Sequence, residues 1–345
     1  MNRFSFVDLF PMSEIISSLQ AKLIEQGQCR HVFILRALTL LAMNAFVIGI
    51  TSPASALGQG TWTKLAQTPP SVINFTTLLP DGTVMGSDSS TNWFRLTPDN
   101  HGSYVNGTWT TLAPMNDSRL YFGSQILTDG RLFVVGGEYG TGGQTAEVYD
   151  PATDIWTRAA IQSGSGKILF EDCETAMLPD GTVLISPKAA SSTSDDTMIY
   201  SPITNVISSG PMPITTEEEE SWVKLPDNSI LQNDHTVTER LIPSQGKWIY
   251  DSDCPVEVWD DGEMGAALLL PNGKAFFLGA SGNTALYVPS GNTTPGVWSA
   301  GPIIPDGNVA SDAPAAMLVT GNMLIIDGWT RKSHLDTGRL ILSEN

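Results

Sequence analysis

The chain has 345 residues, and 41% of them are hydrophobic, which is enough for a packed core and excludes intrinsic disorder. It carries 36 Asp and Glu against 18 Lys and Arg, a net charge of −18. A field of that sign repels nucleic acid and anionic lipid and favours cations or basic partners. The 32 glycines and the short apolar runs describe many turns joining short strands rather than long helices.

The first 56 residues differ from the rest. Arg30 and Arg36 precede ALTLLAMNAFVIGI (residues 37–50), an apolar run too short to span a bilayer comfortably. Pro53 and the small-x-small triplet Ala54-Ser55-Ala56 follow. A basic flank, a short apolar core and such a cleavage pattern describe a secretory signal peptide with a long n-region, for which Met12 is an alternative start. The expected organisation is a leader over residues 1–56 and one domain over 57–345. The protein is then secreted or periplasmic, with no membrane span after cleavage; an uncleaved anchor is the alternative. Cleavage leaves Cys173 and Cys254. In an oxidising compartment they are expected to come within disulfide reach if residues 250–262 arch across one face, the alternative being two separate buried thiols.

From residue 78 onward one unit repeats. LLPDGTVMGSD (78–88), ILTDGRLFVVGGE (126–138) and MLPDGTVLISPK (177–188) are followed by KLPDNSILQNDH (224–235), LLPNGKAFFLGAS (270–281) and MLVTGNMLIIDG (317–328). The second residues of the turns, from Pro80 to Val319, are spaced by 48, 51, 47, 45 and 48. Each unit is an apolar strand, an Asp-Gly, Asn-Gly or equivalent turn that accepts positive φ, and a second apolar strand. Self-similarity at this period, with four short strands per repeat, is the signature of propeller blades.

A second mark follows the first. Trp62, Trp109, Trp156, Ile207, Trp248 and Trp298 close successive segments. In the clearest unit Gly136-Gly137 end a strand and Tyr149 stands seven positions before Trp156. A glycine pair followed by Tyr and Trp at this spacing resembles the kelch repeat, and by period the resemblance covers roughly residues 60–345. It implies an all-β, six-bladed kelch-type β-propeller, and GTWTKL (60–65) is expected to supply the last blade's fourth strand and close the ring. Seven blades is the alternative, if the chain is a truncated relative.

In such a ring the approach to each first strand shares a face with the end of each second strand. Glu171, Asp172 and Glu174 lead into blade three, residues 217–220 (EEEE) into blade four, Asp261 and Glu263 into blade five, and Asp306 and Asp312 into blade six. Asp88, Glu138, Asp234 and Asp327 end second strands. The acids therefore gather as a collar around the channel mouth. Glu174, Glu220, Glu263 and Asp312 are expected to face it from different blades, with Trp222 nearby and His235 at the end of blade four's second strand. Crowded carboxylates raise one another's pKa unless cations neutralise them. Such an oxygen-rich cluster suits Ca²⁺, although no segment has the spacing of a calcium loop. Trp222, Trp259, the Tyr121-Phe122 pair and Trp329 suit a sugar or a cationic group.

A secreted kelch chain is also similar to the propeller of galactose- and glyoxal-oxidase-type copper radical enzymes. That resemblance implies two His and two Tyr ligands, one Tyr crosslinked to a Cys, and a Tyr-His dipeptide, which this sequence lacks. Copper is therefore not expected, and no other cofactor is. Sialidase-type propellers match in blade number, but their Asp boxes are missing and only Arg119 and Arg331 suit the acidic face. No nucleophile elbow or phosphate loop occurs. The sequence thus reads as a monomeric binding or interaction module whose acidic, aromatic-lined face takes a glycan or a basic protein partner. A carboxylate-dependent glycan hydrolase or lyase and a degenerate copper oxidase are the alternatives.

Overall fold

The computed structural model describes residues 63–162, 169–186, 197–215, 219–260, 262–318, 321–327, 329–330 and 339–343. Chain contacts separate Met1–Lys64 from Leu65–Asn345, and the account below concerns the second unit. The leader and Trp62 lie outside the described residues, and so does the expected closing strand except for Thr63, Lys64 and Leu65. Among the described residues no helix is long and apolar enough to cross a membrane. Regular structure there is all strand, apart from 3₁₀ turns at Pro243–Gln245 and Pro305–Gly307.

The strands form successive antiparallel meanders. Blade one is β1 (Phe75–Leu78), β2 (Val84–Ser87), β3 (Trp93–Thr97) and β4 (Thr108–Thr111). In blade two a short ribbon of β5 (Arg119–Leu120) and β8 (Tyr139–Gly140) accompanies β6 (Gly123–Ile126), β7 (Leu132–Val135), β9 (Ala146–Asp150) and β10 (Ile155–Ile161). Blade three is β11 (Thr175–Met177), β12 (Val183–Ile185), β13 (Met198–Ser201) and β14 (Val206–Ser209). A parallel β10–β14 pairing joins blades two and three into one eight-stranded sheet.

Blade four is β15 (Ser221–Lys224), β16 (Ile230–Asp234), β17 (Val237–Ile242) and β18 (Lys247–Tyr250). Blade five is β19 (Ala267–Leu269), β20 (Ala275–Leu278), β21 (Thr284–Val288) and β22 (Val297–Ala300). Beyond it, β23 (Asn308–Val309) pairs with β26 (Trp329–Thr330). The last sheet has three described strands, β24 (Ala315–Met317), β25 (Met323–Asp327) and β27 (Arg339–Ser343).

The repeated turns work as the sequence implies. Gly82, Gly130, Gly181, Gly273 and Gly321 sit at φ between 81° and 88°, and Asn228 at 68°. In the first five turns the preceding Asp or Asn closes the turn from its side chain: Asp81 Oδ1 accepts from Thr83 N at 2.9 Å, and Asp180 Oδ1 from Thr182 N at 3.0 Å. The seven-residue Tyr–Trp spacing is a cross-strand pair of third and fourth strands, with Tyr149 opposite Trp156, Tyr200 opposite Ile207 and Leu241 opposite Trp248. Tyr149 and Trp156 pack with ring centroids 5.1 Å apart.

Burial follows strand position. The second strands β7, β12 and β20 are buried at every residue, because each is covered on both faces by neighbouring blades. Fourth strands bury essentially the one Trp or Ile position. Five apolar clusters fill the gaps between consecutive blades; Phe133 and Val135 of blade two meet Val183, Ile185 and Met198 of blade three in one of them.

The cysteine expectation is corrected here. Cys173 and Cys254 are both free and buried. Cys173 lies in the core between blades two and three, Cys254 in that between blades four and five. Residues 251–258 do not arch towards blade three, because Asp251 N and Cys254 N bond Thr238 O and Thr236 O of their own blade, at 2.9 and 2.8 Å.

Candidate functional site

The approaches to the first strands share a local conformation. Tyr121, Asp172, Glu219 and Asp312 stand two or three residues before β6, β11, β15 and β24, at φ of 53°, 45°, 61° and 51°. Each is a non-glycine residue in the left-handed region, held there by its surroundings. Neighbouring approaches are stitched to one another by hydrogen bonds. Thr175 Oγ1 donates to Ser124 O at 2.8 Å, Ser221 Oγ to Gly265 O at 2.5 Å, and Ala266 N to Ala313 O at 3.2 Å. Asp312 N donates to Met264 O at 3.2 Å.

Three of these turns, with the Asp260–Glu263 turn before β19, bring acids into one cavity of about 190 Å³, lined by Asp172, Glu174, Glu219, Glu220, Glu263 and Asp312, with Ser221, Met264, Gly265, Ala266 and Ala313. Among the described residues no Lys, Arg, His or aromatic side chain lines it. Glu220 is only 3% exposed. Desolvation pushes the Glu174 carboxyl up to about 7, against one opposing hydrogen bond from the Thr175 backbone. Glu263 is held well above the ordinary carboxylate range, first by desolvation, then by hydrogen bonding to Asp312 and the charges of Asp312 and Glu219. A reciprocal backbone pair with Asp260 (3.2 and 3.1 Å) fixes the turn that carries Glu263.

Of the residues expected at this face, Glu174, Glu220, Glu263 and Asp312 line the cavity, whereas Trp222 and His235 do not. Strand alternation decides Trp222. Ser221 Oγ reaches blade five and Val223 enters the core between blades four and five, so Trp222 between them points the other way. Its indole packs with Trp248 between blades three and four, and Nε1 donates to Gln232 Oε1 at 2.9 Å. His235 stacks on Trp259 with centroids 4.2 Å apart, its Nδ1 3.4 Å from Glu257 Oε1. Arg119 is also not on the acidic face as a ligand-binding group. It is fully buried and donates to the carbonyls of Gly136, Gly142 and Thr145 and to Glu147. Asp172 and Glu219, which the sequence placed in the collar without singling them out, also line the cavity, and each is itself the left-handed residue of the approach to its first strand.

Meanders packed face to face around an acidic cavity, with Tyr and Trp paired across third and fourth strands, define a kelch-type β-propeller. A Kelch motif matches residues 127–161. The fold is similar to that of a "novel fungal alcohol oxidase with catalytic diversity among the AA5 family, in complex with copper", at 17% identity and a TM-score of 0.54, covering 73% of this chain and 57% of that one. It is also similar to the structure of YjhT, at 14% identity and a TM-score of 0.55, covering 81% of this chain and 96% of that one. No curated protein matches the sequence. At these identities the likeness concerns the fold, and this chain spans little more than half of the oxidase.

Among the described residues no group of three or more His, Cys, Asp or Glu stands preformed as a metal site. His101 lies between β3 and β4 and His235 between β16 and β17, so the meander places them at opposite ends of their blades.

Proposed function

We propose that the protein is a binding module that takes a cationic ligand or basic partner in the acidic cavity where blades three to six meet. The observation that carries this reading is the composition of the cavity: among the described residues, six carboxylates from four blades and no basic lining residue. A multivalent cation entering it relieves like-charge repulsion among the acids, so binding and stabilisation go together. Calorimetric titration of the full chain with spermidine, and separately with Ca²⁺, tests the reading. Binding of at least one is expected, with a loss of tenfold or more in Glu220→Gln/Glu263→Gln. Equal affinity in the double variant removes the cavity as the site.

A carboxylate-dependent glycan hydrolase or lyase is the second reading. It is favoured by Glu174, pushed up to about 7, and Glu263, held higher still, which keep proton donors at neutral pH beside further carboxylates. Release of reducing ends from a glycan panel, lost in Glu263→Gln, is its test. Export rests on the leader, and N-terminal sequencing of the exported protein is expected to begin at Leu57.

A further inference from the structure

The ribbon of blade two carries a pair of exposed tyrosines that the cavity does not use. β5 and β8 pair with Arg119 opposite Gly140 and Leu120 opposite Tyr139. Tyr121 and Tyr139 are 56% and 57% exposed, with ring centroids 6.0 Å apart at an interplanar angle of 67°.

The backbone beneath the two rings is fixed. Arg119 Nη1 bonds Gly136 O, Gly142 O and Thr145 O at 2.7, 2.8 and 2.8 Å. Glu138 N bonds Leu120 O at 3.0 Å, and Gly137 N bonds Phe170 O at 2.8 Å. Gly140 packs so closely that a Cβ there would stand 2.3 Å from Ser118 O. Tyr121 itself is held at φ 53°, in the left-handed region that a tyrosine adopts only when its surroundings hold it there.

Two carboxylates bear on the pair: Glu138, the residue before Tyr139, by hydrogen bonding and charge, and Asp172, a wall of the acidic cavity, by charge, and both raise the pKa of the Tyr139 hydroxyl. Neutral sugars stack on flat shelves and need hydrogen-bond partners around them, whereas two rings near a right angle make a corner. A corner of two electron-rich faces with acids at its edge fits a compact, weakly hydrated cation.

We propose that Tyr121 and Tyr139 form a corner that binds a methylated ammonium group, with Glu138 and Asp172 supplying the opposite charge. This rests on the cation-binding reading above and names the ligand class for the blade-two side of the same face. The group can come from a free quaternary amine or from a lipid headgroup.

Calorimetric titration of the full chain with choline is the first arm, with the neutral isostere 3,3-dimethylbutan-1-ol as the control. Sedimentation with phosphatidylcholine vesicles is the second. Choline is expected to bind and the neutral alcohol not to. Tyr121→Ala and Tyr139→Ala each lower choline affinity, and together by about tenfold or more, while Tyr139→Phe keeps it within about threefold. Both side chains are exposed, so the melting temperatures of these variants stay near that of the parent. Vesicle binding with the same tyrosine dependence assigns the headgroup as the source, and choline binding alone assigns the free amine. Equal binding of the neutral alcohol, unchanged affinity in the double alanine variant, or no binding in either arm overturns the proposal. The Glu220→Gln/Glu263→Gln protein separates the two readings. Choline binding kept while spermidine and Ca²⁺ binding are unaffected by the glutamine changes sinks the cavity and leaves the tyrosine corner standing. The reverse pattern sinks only the corner.

Discussion

Glu263 of the blade-five approach and Asp312, three residues before β24, stand together in the wall of the acidic cavity, where Asp312 adds to desolvation in holding the Glu263 carboxyl above its usual range. Neighbouring carboxylates repel each other unless a proton or a cation lies between them. The backbone over-determines the contact: Asp312 N to Met264 O and Ala266 N to Ala313 O, both 3.2 Å, tie the two approaches together. The acids therefore cannot drift apart to relieve repulsion, and the cavity relieves it by holding protons or by taking cations.

Stability should fall as pH rises from 5 to 8. Glu174 and Glu263 have folded-state pKa values above their unfolded ones, so the folded protein binds more protons, and its stability drops between the unfolded pKa, near 4.3, and the folded one. For Glu174 that window closes at about 7, and for Glu263 it extends higher. Aspartates held below their usual pKa by turn and ion-pair hydrogen bonds, such as Asp129 and Asp180, act in the other direction below about pH 4. Thermal melts across this range are expected to peak near pH 4–5. Glu263→Gln should flatten the decline and raise Tm at pH 8, and a lower Tm for this variant at pH 8 would contradict the repulsion account.

Gly136 and Gly102 should respond very differently to alanine. Both have positive φ, 73° and 81°. A Cβ at Gly136 would stand 1.8 Å from Phe170 O, a backbone atom of the adjoining segment, whereas at Gly102 nothing lies within 4 Å. Gly102→Ala is expected to cost about 1 kcal/mol from conformation alone. Gly136→Ala has to displace the 170 backbone and is expected to cost more than about 3 kcal/mol in urea unfolding. Similar losses for the two would mean that conformation, not the close approach, fixes Gly136.

The parts of this architecture visible in the sequence are those fixed by local geometry. Asp-Gly and Asn-Gly marked the hairpins because those turns need positive φ, and the Tyr149–Trp156 interval marked two strands because it is a cross-strand register. The convergence of Glu174, Glu220, Glu263 and Asp312 was legible because each stands about five to eight residues before the turn of its unit, on the approach to the first strand. Trp222 was legible only as either a cavity aromatic or a plug between blades, because alternation gives two faces but not which neighbouring blade each one meets, and it packs between blades three and four. The β5–β8 ribbon left no trace, since two-residue strands have no periodicity. Arg119 read as a surface candidate because its partners, Gly136, Gly142, Thr145 and Glu147, are separated from it in sequence and converge only in the folded loop.

Arg119 should be among the costliest side chains to remove. Its guanidinium is fully buried, pairs with the equally buried Glu147 at 3.0 Å, and satisfies three carbonyls. Arg119→Ala strands the Glu147 charge with only its Asn116 and Asp117 donors, so a loss of about 3–5 kcal/mol is expected. Arg158, half exposed although 2.6 Å from Asp117, provides the contrast. Screening limits its removal to under about 1 kcal/mol. Urea midpoints at constant slope read both values, and a small loss for Arg119→Ala would show that the ribbon is held by backbone pairing alone.

Cys173 and Cys254 should remain unpaired and unreactive in the native protein. They belong to different inter-blade cores. Burial pushes the Cys173 thiol up to about 12 and raises that of Cys254 as well, in each case chiefly by desolvation. Reactivity follows the thiolate, and a pKa of about 12 leaves roughly one Cys173 in ten thousand ionised at pH 8. Alkylation with iodoacetamide at that pH, followed by peptide mapping, is expected to leave both residues unmodified until denaturant is added and then to label both fully. Non-reducing maps should contain no peptide joining them. Such a joined peptide from native protein would mean that residues 250–262 leave blades four and five, and the bonds from Asp251 and Cys254 to Thr238 and Thr236 would have to break for that to happen.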